Sequence, residues 1–96
     1  MIGSFADEGT EDIYHGVRSK KAAKVPANIV SVALRKLDMI NAATRLEDLR
    51  VPPNNRLEKL AGNLAGFYSI RINDQFRVIF RWSDGVATDV AITDYH

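Results

Sequence analysis

Two periodicities divide the chain. Between Pro26 and Ile40, the residues Ile29, Val30, Ala33, Leu34, Leu37 and Ile40 recur at helical spacing and predict a helix with one apolar stripe. Ser31, Arg35 and Asp38 fall on its other face, and Pro26 suits its first turn. Thr44-Arg45-Leu46-Glu47 reads as a capping box that restarts a short helix, which Pro52-Pro53 ends. Beyond Asn54 and Asn55 the pattern changes to alternation. It predicts strands over residues 56–60, 67–71, 75–82 and 86–93, with turns at Gly62-Asn63 and Ser83-Asp84-Gly85. At the other end, residues 2–5 form a short first strand. Asp7 then caps a helix through His15 that Gly16 stops in a left-handed conformation. His15, in the last turn, is read as a structural group near the free carbonyls. Helices followed by a strand meander give an α+β layer fold, with the helical stripe on one sheet face and the other face open.

Strand register decides which side chains meet, because a slip of one residue turns every side chain to the other face. A loop of Ile72-Asn73-Asp74 would place Arg71 opposite Gln75 and Ser69 opposite Arg77. Tyr68, Ile70, Phe76, Val78, Phe80 and Trp82 then share the apolar face, with Trp82 as a core anchor. A loop of Ser83-Asp84-Gly85 would pair Trp82 with Val86, Phe80 with Thr88, Arg77 with Ala91 and Gln75 with Thr93. Ser69, Arg71, Arg77, Arg81 and Thr93 are left on the second face beside the emerging C-terminal residues, with Ile79 as an apolar exception.

Length and composition narrow the chemistry. Ninety-six residues make a single domain, 1–96. Without cysteine there is neither a disulfide nor a thiolate metal site, and His15 and His96 alone cannot build a zinc centre. No apolar run reaches membrane-spanning length, and the acidic Asp7-Glu8 pair stands where a signal peptide would be apolar, so a cytoplasmic protein without membrane partners is expected. The net charge of +1 hides an uneven distribution. Asp7, Glu8, Glu11 and Asp12 are followed by Arg18, Lys20, Lys21, Lys24, Arg35 and Lys36 with no acid between residues 13 and 36. Such a block either holds a nucleic-acid backbone or is a solvated loop.

The candidate chemistry lies in the hairpin and the end of the chain. Arginine keeps its charge at any ordinary pH and suits phosphate, whereas tyrosine and histidine can move protons. Arg71, Arg77 and Arg81 on one face, with Asp94-Tyr95-His96 beside them, combine a phosphate clamp with proton donors and acceptors. Phosphodiester cleavage needs that combination.

Three segments carry a family resemblance: Arg56-Leu57-Glu58-Lys59-Leu60-Ala61-Gly62-Asn63, then Gly66 through Val78 with Ser69-Ile70-Arg71-Ile72-Asn73-Asp74-Gln75-Phe76-Arg77, and the terminal Asp94-Tyr95-His96. Together they resemble the HigB toxins of the RelE/ParE superfamily, and the likeness runs the length of the chain. The resemblance implies a RelE-like fold, with N-terminal helices on one face of a small, mainly antiparallel sheet. It also implies a ribosome-dependent, metal-independent endoribonuclease that needs no cofactor and cuts messenger RNA in the A site of the small subunit. By resemblance, Arg77 contacts phosphate and Asp94, Tyr95 and His96 form the functional tail. Arg71, Arg56, Lys59, Arg81, Lys20 and Lys21 are candidate RNA contacts, and Glu58 is a candidate accessory group. The implied partner is a HigA-like helix-turn-helix antitoxin, through which alone operator DNA would be met. Some members have histidine where this chain has Glu58 and lysine where it has Ala61, which removes one cation. The alternative within the superfamily is a ParE-like toxin that binds without cutting.

Overall fold

A computed structural model describes residues 1–94. Two α-helices, α1 (Glu8–Tyr14) and α2 (Val30–Ala42), precede four strands, β1 (Glu58–Lys59), β2 (Phe67–Arg71), β3 (Phe76–Ser83) and β4 (Val86–Asp94). The strands form one antiparallel sheet in the order β1-β2-β3-β4. The N-terminal residues add a parallel edge to β4 through bridges at Ile2–Ala87 and Phe5–Val90. The α+β architecture read from the periodicity is therefore present.

Local chemistry explains the element ends. The Asp7 carboxylate accepts the Thr10 N–H at 2.7 Å and starts α1. Short 3-10 turns fill the basic loop (Ala22–Lys24) and lead into α2 (Ala27–Ile29). The restarted helix is a 3-10 segment, Leu46–Arg50, and its cap is Asp48 rather than Glu47. Asp48 accepts from the Thr44 N–H, the Arg45 N–H and the Thr44 hydroxyl at 3.1, 3.1 and 3.2 Å. These bonds to the charged form hold its carboxyl below the usual carboxylate range.

The core lies between α2 and one sheet face. Ile29, Ala33, Leu37 and Ile40 meet Ile70, Val78, Phe80, Ala87 and Val90. Each of the larger side chains buried here contributes about 1.5–3 kcal/mol relative to exposure. Trp82, expected as a core anchor, packs against this core while half-buried, its ring edge-on to Phe80. A buried polar pair, Lys36 and Asn55, borders this core. Asn55, 0% exposed, accepts from Lys36 Nζ at 2.6 Å and donates to the Leu49 and Val51 carbonyls at 3.2 and 3.4 Å. It ties the segment that leads into β1 to helix α2.

Both hairpin registers differ from expectation. Five residues, 72–76, separate the last paired positions of β2 and β3, so Arg71 lies opposite Arg77 and Ser69 opposite Ile79. Asn73 explains the longer turn, because its carboxamide oxygen accepts both the Gln75 and Phe76 N–H groups at 2.9 and 2.7 Å. The β3–β4 turn is tighter than expected. Asp84 and Gly85 both take positive φ (51° and 78°), so Ser83 pairs with Val86 in a two-residue turn. A bulge at Asp89, φ 51°, then inserts one residue, and Arg77 comes to lie opposite Thr93 instead of Ala91.

Candidate active site

The second sheet face is not the open surface the pattern predicts. Ser69, Arg77, Ile79 and Ala91 are all buried there. Ile79 stands opposite Ala91, so the apolar exception in the pattern belongs to a small buried patch on this face.

Arg77 is 9% exposed, and a cation that far from water must be compensated. Its Nη1 donates to Ser69 Oγ at 3.2 Å, and its Nη2 lies 3.6 Å from Glu58 Oε1. Register accounts for both contacts: Ser69, opposite Ile79 on β3, is the diagonal neighbour of Arg77, and Glu58 pairs with Ser69 across β1–β2. Glu58 is about half exposed while Arg77 is not, so the carboxylate can be displaced toward solvent when another anion arrives. The chemistry available is that of a pre-oriented guanidinium with a removable counter-charge.

The C-terminal strand brings Thr93 and Asp94 to the same end of the sheet. Thr93 lies opposite Arg77, and Asp94 follows opposite Phe76, with its carboxylate 2.9 Å from Gln75 Nε2. Tyr95 and His96, the candidate proton-transfer groups, lie outside the described residues. A cleft of about 710 Å³ opens beside Asp94, lined also by Thr93, Phe76, Lys21 and Lys24. The basic loop therefore reaches the end of β4. Lys21 is held there by Glu8 at 3.0 Å. Thr10, on α1, fixes this corner by accepting the Ile92 N–H at 3.0 Å.

The remaining candidates are dispersed. Arg71 lines a different cleft, against α2, and pairs with Asp74. Lys59 pairs with Tyr68, so it belongs to the opposite sheet face from Arg77. Arg81 is four residues along β3 from Arg77, about 13 Å at ~3.3 Å per residue. Its guanidinium packs over the Phe67 ring at 4.4 Å and pairs with Asp89 at 3.5 Å. Arg56 is exposed with φ 47°, and Lys20 is exposed in the basic loop. His15 is the C-cap of α1 through its backbone N–H, and its ring packs edge-on against Tyr14 and Phe5, a structural role made by ring packing and not by the carbonyl contact expected. Two residues carry more than the sequence announced. Lys24 joins Lys21 in the cleft beside Asp94. Lys36 is buried on α2, where burial, then Arg35 and Arg71, lower its proton affinity. Its place beside the apolar stripe was the only signal for it. Among the described residues no three metal-ligating side chains are grouped as an ion would need, and no helix is long and apolar enough to cross a membrane.

Comparison with known proteins adds to this geometry. Residues 3–96 match the model of a family described as HigB-like toxin, the RelE-like toxin of the type II toxin–antitoxin system HigB. Toxin HigB-1 of Vibrio cholerae is 46% identical over 87 residues, covering 91% of this chain and 90% of that protein. Among solved structures, the YoeB–YefM complex from Staphylococcus aureus aligns with a TM-score of 0.61 at 21% identity, covering 100% of this chain and 98% of that one. The YoeB dimer from the same organism aligns at 0.60 and 26% identity, covering 99% and 94%.

Proposed function

The chain belongs to the HigB-like toxins, RelE-like toxins of type II toxin–antitoxin systems, and from that premise we propose that it is a ribosome-dependent endoribonuclease that cuts messenger RNA. What supports this is Arg77: a buried guanidinium held by Ser69 and Glu58, with Thr93 opposite and Asp94 beside it at the start of the tail.

RNA carries its own nucleophile. The ribose 2′-oxygen attacks the neighbouring phosphorus while the bond to the 5′-oxygen breaks. The products are a 2′,3′-cyclic phosphate and a 5′-hydroxyl, and one proton passes from the 2′-oxygen to the 5′-oxygen. Negative charge gathers on the phosphate oxygens between these events. Arg77 stabilises it as a fixed cation already turned toward the site, so little reorganisation is needed during reaction. The arriving phosphate takes the place of Glu58 as the counter-charge of Arg77. Tyr95 and His96 carry the proton, each a contribution of ~10²–10⁴-fold, with Asp94 orienting the pair. Aligning the 2′-oxygen with the phosphorus falls to the ribosome-bound message held between the sheet end and the Lys21–Lys24 loop. The antitoxin partner is HigA-like, with a helix-turn-helix domain that supplies the contact with operator DNA.

Primer extension on messenger RNA incubated with ribosomes tests this reading. New 5′ ends inside codons should appear only when protein and ribosomes are both present. Growth arrest on expression, without any such ends, would replace it with a ParE-like toxin that binds and does not cut.

A further inference from the structure

A second cationic feature lies against α2. A cleft of about 630 Å³ opens between α2 and residues 52–54, lined by Arg35, Lys36 and Arg71 together with Met39, Pro53 and Asn54. Among the described residues its lining holds no carboxylate, although Asp74, outside the lining, pairs with Arg71. Arg35 is exposed and makes no ion pair among the described residues. Lys36 forms the floor, its ammonium turned to the neutral Asn55 carboxamide instead of an acid. Three like charges lining one cleft repel one another, and an anion entering it would relieve that repulsion.

Arg71 joins this cleft to the candidate active site, because it lies directly across the β2–β3 ladder from Arg77. Its pairing with Asp74 does not block the role. The Asp74 side chain is 97% exposed, and such a surface pair is replaced by phosphate at little cost. Guanidinium groups match phosphate oxygens with two parallel donors, which Arg35 offers without an ion pair among the described residues.

Resting on the nuclease reading above, we propose that the Arg35–Lys36–Arg71 cleft is a second phosphate subsite, which grips a backbone phosphodiester of the same RNA strand whose scissile phosphate lies at Arg77. An acidic protein segment would also suit the charge. The adjacency of Arg71 and Arg77 favours a continuous polyanion running from one site to the other.

The probe is a single-stranded pentaribonucleotide with 2′-O-methyl groups, which cannot be cut by 2′-oxygen attack, titrated into the full-length chain and followed by NMR. The Nε–H signals of Arg35, Arg71 and Arg77 and the N–H of Asn54 should shift together. The same oligomer with uncharged methylphosphonate linkages should move none of them. Arg35→Gln, at an exposed position, should weaken binding about two- to five-fold, the range of a solvent-accessible ion pair, with the melting temperature unchanged. Shifts at Arg77 with Arg35 and Asn54 silent would remove the subsite and leave the nuclease reading intact. A complete lack of response would remove it too. A glutamate-rich peptide that moves Arg35 and Asn54 as far as the RNA does would reassign the cleft to a protein partner. Shifts of the expected pattern in a chain that cuts no ribosome-bound message would keep the subsite and discard the nuclease.

Discussion

Replacing Asn55 with alanine strikes a buried polar link between α2 and the segment that delivers β1. The substitution removes the acceptor of the Lys36 ammonium, a 2.6 Å bond, and the donor to the Leu49 and Val51 carbonyls. A hydrogen bond to a charged group is worth about 1.5–3 kcal/mol and each neutral one about 0.5–1.5. The flexible Lys36 stem recovers part of the loss by turning its ammonium toward water. The net cost is then about 3 kcal/mol. In a domain of this size each kcal/mol moves the melting temperature by about 4–8 °C, so the midpoint should fall by about 12–24 °C. Thermal unfolding followed by circular dichroism reads this directly, and urea titration gives the free energy. The double variant Lys36→Met/Asn55→Ala should recover at least about 1 kcal/mol, because it no longer strands a charge. A single variant that melts within 3 °C of the parent would refute the assignment, since it would mean that the Lys36–Asn55 contact carries no net energy.

Other consequences follow from the same geometry. Thr10→Val removes the acceptor of the Ile92 N–H next to the tail and should cost about 1–3 kcal/mol in urea unfolding, the penalty of an unsatisfied donor. Asp48 contributes stability through a lowered pKa, so its share is complete above the ordinary carboxylate pKa and lost as pH falls through the depressed one. Melting curves of the parent and Asp48→Asn should therefore differ at neutral pH and converge in strong acid. Arg81→Ala, about 13 Å along β3 from Arg77, should change cleavage of ribosome-bound message by less than about threefold while lowering the melting temperature slightly.

Much of this fold was legible because side-chain parity survives errors that change partners. The expected β2–β3 loop is two residues short, since 72–76 separate the paired Arg71 and Arg77, and the longer turn on Asn73 moves the register by two positions along the partner strand. A shift of two keeps every side chain on its face, so Arg71, Arg77 and Ser69 were grouped correctly although their opposite numbers were not. The β3–β4 hairpin was misread by one residue at the turn, which inverts faces. Ala87, rather than Val86 or Thr88, therefore points into the core. The bulge at Asp89 reverses the inversion, so Val90 and Ile92 return to the expected side and Thr93 meets Arg77. Nothing in an alternating pattern announces a non-glycine residue in the left-handed region, which is why the bulge was not foreseen. Burial of the second face was equally hidden, because Arg77 and Ser69 are polar by composition and are buried only by the tertiary arrangement. The Lys36–Asn55 contact depends on a separation of 19 residues and left no local trace.

The most direct test of the central claim is the single-turnover rate of cleavage of ribosome-bound messenger RNA by Arg77→Ala, with Arg77→Lys beside it and circular dichroism to establish that both are folded. Loss of a positioned charge donor to the reacting phosphate predicts a fall of at least about 10²-fold for alanine, with lysine in between. A folded Arg77→Ala chain that cuts within threefold of the parent would contradict the claim.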